Sequence, residues 1–338
     1  MERIDENKER EWLQGLPKTE IHVHLEGSIP LDALWQLMKK YGGDPEVPDI
    51  AALRARFRYK DFPTFIQTWI WKNGFIRAYE DFTFFSEAVA REFKRQNILY
   101  AEAHFTPPDF ARLGLTVQGV TTAVRAGLSR VPEVDVQLIS DFCRDFGPER
   151  AERTLDELSE LPRGQVIGIG LGGSEQDFPP ELYVAAFERA RKLGFHATAH
   201  AGEAAGAASV RAAVEKLLAE RIGHGTRAIE DPAVVDMLAE RGIPVECCPI
   251  SNLRTGVIAR LEDHPIRAFF QKGIRVSVNS DDPAMFETSM VEELYTLRVR
   301  LGFTRDEVLR VLRNGIESTW ASAEKKTTLL AGLARAAG

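Results

Sequence analysis

Apolar residues follow two alternating rhythms along the chain. Short runs rich in β-branched and aromatic residues give way to longer stretches whose apolar positions fall three and four apart. The short runs read as strands at 19–25, 98–105, 134–142, 166–172, 195–201, 221–225, 243–249 and 274–280. Between them lie helical stretches such as 180–194, PELYVAAFERARKLG, closed by a glycine. The stretch 231–242 is similar, with Asp231 as N-cap, Pro232 in the first position and Gly242 as stop. Eight strands with helices between them predict an α/β fold, a (β/α)8 TIM barrel. One interval breaks the rhythm, because roughly seventy residues separate the first two strands. That interval predicts a helical insertion after the first strand, with Phe62, Phe65, Trp69 and Trp71 forming the core of a lid. No internal repeat or low-complexity tract divides the chain, so residues 1–338 read as a single barrel domain.

Composition narrows the partners. The 44% apolar content is enough for a large core. A net charge of −7, with both signs interspersed, leaves no broad phosphate-binding face. A small polar molecule is therefore the expected partner, and neither nucleic acid nor membrane is. No apolar run is long enough to span a bilayer, and MERIDENKEREWLQG lacks the apolar core of a secretory signal. Three cysteines, Cys143, Cys247 and Cys248, make no disulfide framework and no C-x-x-C pair, so a reducing cytoplasm is the expected setting.

Candidate chemistry collects at the strand ends. His22 and His24 in EIHVHLEG are two residues apart, so on a strand both imidazoles face the same side. HATAHAGE ends the fifth strand with His200 and places Glu203 three residues on. RIGHG ends the sixth with His224, and SVNSDDP ends the eighth with Asp281 and Asp282. A barrel gathers the C-terminal ends of its strands at one mouth, so these groups should meet. Imidazoles with a carboxylate suit Zn2+, which lowers the pKa of a bound water from about 15.7 to roughly 7. The fourth-strand sequence VIGIGLGGSE has no lysine to bridge two metals, which predicts one ion per chain. Blander readings suit the rest. His104 becomes a pocket wall or a residue behind the ligands, and His196 and His264 become structural. Cys247 and Cys248 fit a buried strand, and Ser251 and Asn252 shape the loop after it.

Six motifs occur together and in order between residues 20 and 283: EIHVHLEGSIP, GLGGSE, HAGE, RIGHG, CPISN and SVNSDDP. In this the chain resembles the adenosine deaminase family of barrel amidohydrolases. The resemblance implies hydrolytic removal of the 6-amino group of an adenine nucleoside, with Zn2+ held by His22, His24, His200 and Asp281. It implies that Glu203 is the proton carrier to purine N1, and that His224 is the base and electrostatic partner that orients the water. Asp282 orients the water or bonds purine N7, Gly173 gives its backbone amide to N3, and Glu26 takes the place of an aspartate that bonds the ribose 5′ hydroxyl. Glu26 and CPISN depart from the adenosine-specific pattern towards relatives acting on adenine or on aminodeoxyfutalosine. The glycine pair of GLGGSE argues against free adenine. The expected order is adenosine or 2′-deoxyadenosine first, a 5′-modified adenosine next and free adenine third. A non-catalytic binding or signalling member of the fold would have lost a ligand or Glu203, and neither is missing.

Overall fold

The computed structural model describes residues 5–337. Eight strands lie in one sheet in sequence order, all paired in parallel. They are β1 (Lys18–His24), β2 (Ile98–Phe105), β3 (Asp135–Cys143), β4 (Gly168–Gly172), β5 (His196–Ala201), β6 (Arg221–His224), β7 (Val245–Cys247) and β8 (Val276–Val278). Helices or helical turns follow every strand and cover the outside, so the architecture is the (β/α)8 barrel that the alternating pattern predicts. Among the described residues no helix is long and apolar enough to cross a membrane.

The ladder between β8 and β1 is made on the β8 side by residues beyond the strand's end. Asn279 Oδ1 accepts from Ile21 N–H, and Asp281 bridges two residues of β1, its O accepting from His24 N–H at 2.8 Å and its N–H donating to His22 O at 3.2 Å. The barrel is therefore stitched at the residues that carry its chemistry. This is also why the eighth strand stops short of its predicted end at 280. Asp281 sits at φ +61°, outside strand geometry. The seventh strand is likewise shorter than 243–249, because Pro249 opens a helix, Pro249–Arg254. The stretch 180–194 begins as a 3-10 turn, Pro180–Tyr183, before the α-helix Val184–Lys192, and Gly194 closes it at φ +90°. Asp231 caps helix Pro232–Glu240 through Ala233 N–H, as the sequence predicts.

The interval between β1 and β2 holds four helices: Leu31–Lys40, Ile50–Arg56, Phe62–Asn73 and Tyr79–Arg95. Helix Phe62–Asn73 lies over the mouth. Asp61 caps its start through Thr64 N–H, and its Phe62, Phe65, Ile66, Trp69 and Ile70 side chains face the cavity beneath. Trp71, on the other side, packs edge-on against Phe75 and bonds Asp44.

Side chains too large for a barrel interior need neighbours without a Cβ, and β4 supplies them. A Cβ on Gly170 would lie 1.9 Å from Asp141 Oδ1, and one on Gly168 would lie 2.7 Å from the Trp320 ring. On β6, a Cβ at Gly223 would lie 2.5 Å from the His22 ring. The glycines make room for the polar groups described next.

Candidate metal centre and active site

Three imidazoles and a carboxylate converge where β1, β5 and the end of β8 meet. His24 Nε2 lies 3.1 Å from His200 Nε2 and 3.3 Å from Asp281 Oδ1, and His22 Nε2 lies 3.6 Å from the same oxygen. The outer nitrogens fix which way each lone pair points. His22 Nδ1 donates to Glu246 Oε2 at 2.8 Å, and His200 Nδ1 donates to Leu171 O at 3.2 Å. His24 Nδ1 faces Asp141 Oδ2 at 3.5 Å. Each Nε2 is thus an acceptor turned towards the others, and His22 Nε2 is fully buried without a partner. Burial holds the His24 and His200 pKa values well below the usual histidine range, with the other imidazoles adding to it. Lone pairs pressed together around a carboxylate call for a cation, so the donor set fits a metal ion.

A second grouping competes with this one. The ligand atoms of His22, His200, His224 and Asp281 all lie within 4.8 Å of one another. The hydrogen bonds behind His224 decide between them. Ile266 N–H donates to His264 Nδ1 at 3.1 Å, so His264 carries its proton on Nε2, which donates to Asn252 Oδ1 at 3.2 Å. Thr226 Oγ1 donates to the same oxygen at 2.8 Å. Asn252 so oriented offers Nδ2–H to His224 Nδ1 at 3.1 Å. Neutral His224 therefore carries its hydrogen on Nε2 and presents a donor, not a lone pair, to the site. That N–H faces Glu203 Oε2 at 3.5 Å and Asp281 Oδ2 at 4.0 Å. Burial holds the His224 pKa well below the usual range, with His22 and His264 contributing. In this tautomer His224 turns an N–H donor towards the cavity, and its Nδ1 lone pair is taken by Asn252.

Glu203 is buried beside the cluster. Burial pushes its carboxyl well above the usual range, and the negative charges of Asp281 and Glu175 push it further. Burial and like charge thus favour the protonated carboxyl, the form that can act as an acid. Asp282 is raised for the same reasons, burial first and Asp281 next, and its Oδ1 is buried without a partner. Ser251 Oγ donates to Asp281 Oδ2 at 2.6 Å, so Ser251 and Asn252 act from a helix on Asp281 and His224 instead of shaping a loop.

One cavity of about 310 Å³ is lined by His24, Gly173, His200, Glu203, His224, Asp281 and Asp282. Gly173 stands at φ +100°, where a Cβ would come within 2.5 Å of Asp145 Oδ2. Glu26 is not brought to the lining. Its Oε1 accepts from Thr106 N–H at 3.0 Å, and its backbone oxygen accepts from the buried Lys72 ammonium at 2.5 Å. His104 also stands behind the cavity, its Nδ1 on Asp141 Oδ1 at 2.8 Å. His196 stacks on Trp320 at 4.7 Å and pairs with Glu220, far from the cluster.

Several supporting residues escape a reading by motif. Arg221 is buried between Glu102 and Glu246 under the Trp320 ring, and so holds the carboxylate that orients His22. Glu175, the last residue of GLGGSE, accepts five hydrogen bonds. Gly202 N–H and Ser209 Oγ reach its Oε1, and the Glu203, Ala204 and Ala205 N–H groups reach its Oε2. The turn that carries Glu203 is built on this carboxylate. A carboxamide there would turn an NH2 group towards donors on one side. Glu175→Gln is expected to cost about 2–4 kcal/mol of stability and to lower kcat about tenfold or more by displacing Glu203. Thermal unfolding and steady-state rates measure both, and unchanged values in each would remove Glu175 from the site's support.

A parallel barrel whose mouth gathers buried histidines and an aspartate has the architecture of a metal-dependent amidohydrolase. The model of the adenosine deaminase family matches residues 17–336, and the chain belongs to that family. It is 35% identical over 313 residues to an adenine deaminase of Bordetella avium, covering 91% of this chain and 98% of the relative. Among solved structures, an adenine deaminase from Arthrobacter aurescens superposes with a TM-score of 0.91 at 30% identity, over 95% of this chain and 98% of that one. A zinc-bound amidohydrolase from Burkholderia ambifaria superposes with a TM-score of 0.90 at 25% identity, over 100% and 94%.

Proposed function

We propose that the protein hydrolyses the 6-amino group of a 6-aminopurine, with free adenine as its preferred substrate and one zinc ion as its metal. The observation that carries the reaction is the buried carboxyl of Glu203, 3.5 Å from the His224 N–H and beside the imidazole cluster in one cavity. His22, His24, His200 and Asp281 would hold the ion, since their acceptor atoms converge and His224 offers a donor instead. The N3O donor set suits zinc, as does the zinc-bound neighbour. When bound, zinc supplies a Lewis acid and a water acidic enough to attack at neutral pH.

The chain's own residues supply the rest. Glu203 gives its proton to ring N1 as oxygen adds at C6, which lets the ring accept the electron pair. Of the two protons of the water, one ends on N1 and one on the departing ammonia, and Glu203 carries both. His224 Nε2–H and Asp282 hold the attacking oxygen and the purine N7 edge, and Gly173 meets N3 with its backbone.

The substrate order differs from the one the sequence suggests. Adenosine stands first there because of the glycine pair in GLGGSE, yet Gly173 makes way for Asp145, a residue of the protein itself. Glu26, the candidate partner for a ribose hydroxyl, turns to Thr106 behind the cavity. The adenine deaminase relatives point the same way. A nucleotide fits poorly, since Asp109, Asp141, Asp145, Asp281, Asp282 and Glu203 line the cavity and Arg112 is the one Lys or Arg among the lining residues.

Loss of the 6-aminopurine ultraviolet band measures this. The expected order is adenine, then adenosine about tenfold or more lower in kcat/KM, then AMP. Turnover of none of the three by zinc-loaded protein sinks the reaction, and a preference for adenosine sinks the substrate.

A further inference from the structure

One polar side chain on the cavity wall has no work in the scheme above. Asn73 is 5% exposed, and both its Oδ1 and its Nδ2 are buried without a hydrogen-bond partner. An asparagine at the last position of a helix ordinarily turns its amide to the free backbone groups there, and Asn73 does not. It lines the cavity instead. Buried amide groups are nearly always satisfied, so a wholly unmet carboxamide on a cavity wall is a site awaiting a ligand with both a donor and an acceptor.

Its position says which part of the ligand it meets. Residues 66, 69, 70 and 73 lie on one face of helix Phe62–Asn73, and Ile66, Trp69, Ile70 and Asn73 all line the cavity. The first three present apolar side chains to the cavity, and the fourth ends the row with an amide. Trp69 stands edge-on to His24, with ring centroids 5.9 Å apart, so the wall runs past the metal cluster. Asn73 is one helical turn, about 5.4 Å, further on, a distance comparable with the span of a fused bicyclic ring. When the 6-amino group of adenine is at the cluster, the ring edge turned away from it is N3 and N9. In the free base that edge carries an acceptor, N3, beside a donor, N9–H. Oδ1 can take the N9–H, while N3 keeps the Gly173 backbone N–H and Nδ2–H stays free for a water or the ring edge, a use of asparagine's paired donor and acceptor akin to its grip on adenine's other edge in DNA.

We propose that Asn73 is a specificity-determining residue that recognises the N9–H side of the purine and so selects the free base over 9-substituted purines. This rests on the adenine reading above. A nucleoside has no hydrogen at N9 and puts a sugar against the amide, leaving Oδ1 unmet in a buried wall. Asp109 lines the same cavity with a buried, unpartnered oxygen, Oδ1.

The test uses the zinc-loaded full chain and three substrates: adenine, 9-methyladenine and adenosine. 9-Methyladenine replaces the N9 hydrogen by a methyl group, so on the wild-type enzyme it removes the donor at a far smaller cost in bulk than a ribose, and the Asn73 variants separate the lost contact from the added methyl. Wild type is expected to prefer adenine over 9-methyladenine by about 100-fold or more in kcat/KM. Asn73→Ala is expected to lose at least about tenfold in kcat/KM on adenine, chiefly through KM, and to contract that preference by at least about tenfold. Asn73→Asp keeps an acceptor for N9–H, and should retain more of the preference than Asn73→Ala. If wild type favours adenine over adenosine but handles 9-methyladenine as well as adenine, the N9 contact is wrong and the adenine reading stands. The contact is equally wrong if Asn73→Ala folds, holds zinc and keeps the wild-type preference. If wild type favours adenosine over adenine, the adenine reading fails and this inference fails with it.

Discussion

Glu203→Gln is expected to keep its fold and metal and to lose about 10²–10⁴ in kcat, the usual worth of a positioned proton carrier. The substitution is nearly isosteric, and its backbone N–H stays on Glu175 Oε2 at 3.1 Å. A carboxamide can still bond His224 and the purine, so KM should move little, but it cannot give a proton to N1 or pass one to the leaving ammonia. Stability should not fall. Burial already disfavours the charged form of Glu203, with Asp281 and Glu175 adding to the effect, so the neutral amide removes repulsion among crowded carboxylates. Zinc content, melting temperature and steady-state kinetics on adenine together decide the matter. A variant within tenfold of the wild-type rate would mean that another group moves the protons.

The residues that a sequence betrays most readily are those whose local pattern breaks a rule. His22 and His24 alternate with Ile21 and Val23 in a fully strand-like stretch, and His200, His224 and Asp281 stand where strands end. The fold is legible for a related reason, since alternating strand and helix patterns admit few topologies and the parallel barrel is one of them. What stays hidden acts across long sequence separations. Glu175 builds the Glu203 turn from 28 residues away, and Glu246 orients His22 from 224 away. Neither looks unusual in its own stretch, although a charged residue inside the apolar strand VECC is a faint signal. The helix position of Asn252 and its bond to His224 leave no trace in the pattern, because the helix is six residues long and opens on a proline that also reads as a loop. The pattern overruns the ends of β7 and β8 for a physical reason as well. The strand-like pattern runs on past the strand ends, and Pro249 after β7 and the left-handed φ of Asp281 after β8 end it.

Asp281→Asn should separate function from stability most sharply, because the two are expected to move in opposite directions. Asp281 Oδ1 is the oxygen on which His22 and His24 converge, at 3.6 and 3.3 Å. Replacing the anionic ligand by an amide removes the charge that balances a divalent ion, and metal affinity should fall by more than about 100-fold, beyond the loss seen when only a supporting residue changes. Turnover falls with it. The metal-free protein, however, should become more stable. Its Asp281 is buried next to Asp282 and Glu203, and burial pushes all three carboxyl groups up. An amide ends that conflict and can donate Nδ2–H to the His24 lone pair, while its oxygen still accepts from Ser251. Asparagine is also among the residues that best tolerate the left-handed backbone found here at φ +61°. A gain of about 1–2 kcal/mol would raise the metal-free melting temperature by a few degrees. Calorimetry with and without zinc reads both effects in one experiment. Wild-type zinc affinity in the variant would remove Asp281 from the ligand set. A lower metal-free melting temperature would show instead that the aspartate contributes to the fold, and that the strain and charge crowding at the mouth are not held in place for the metal.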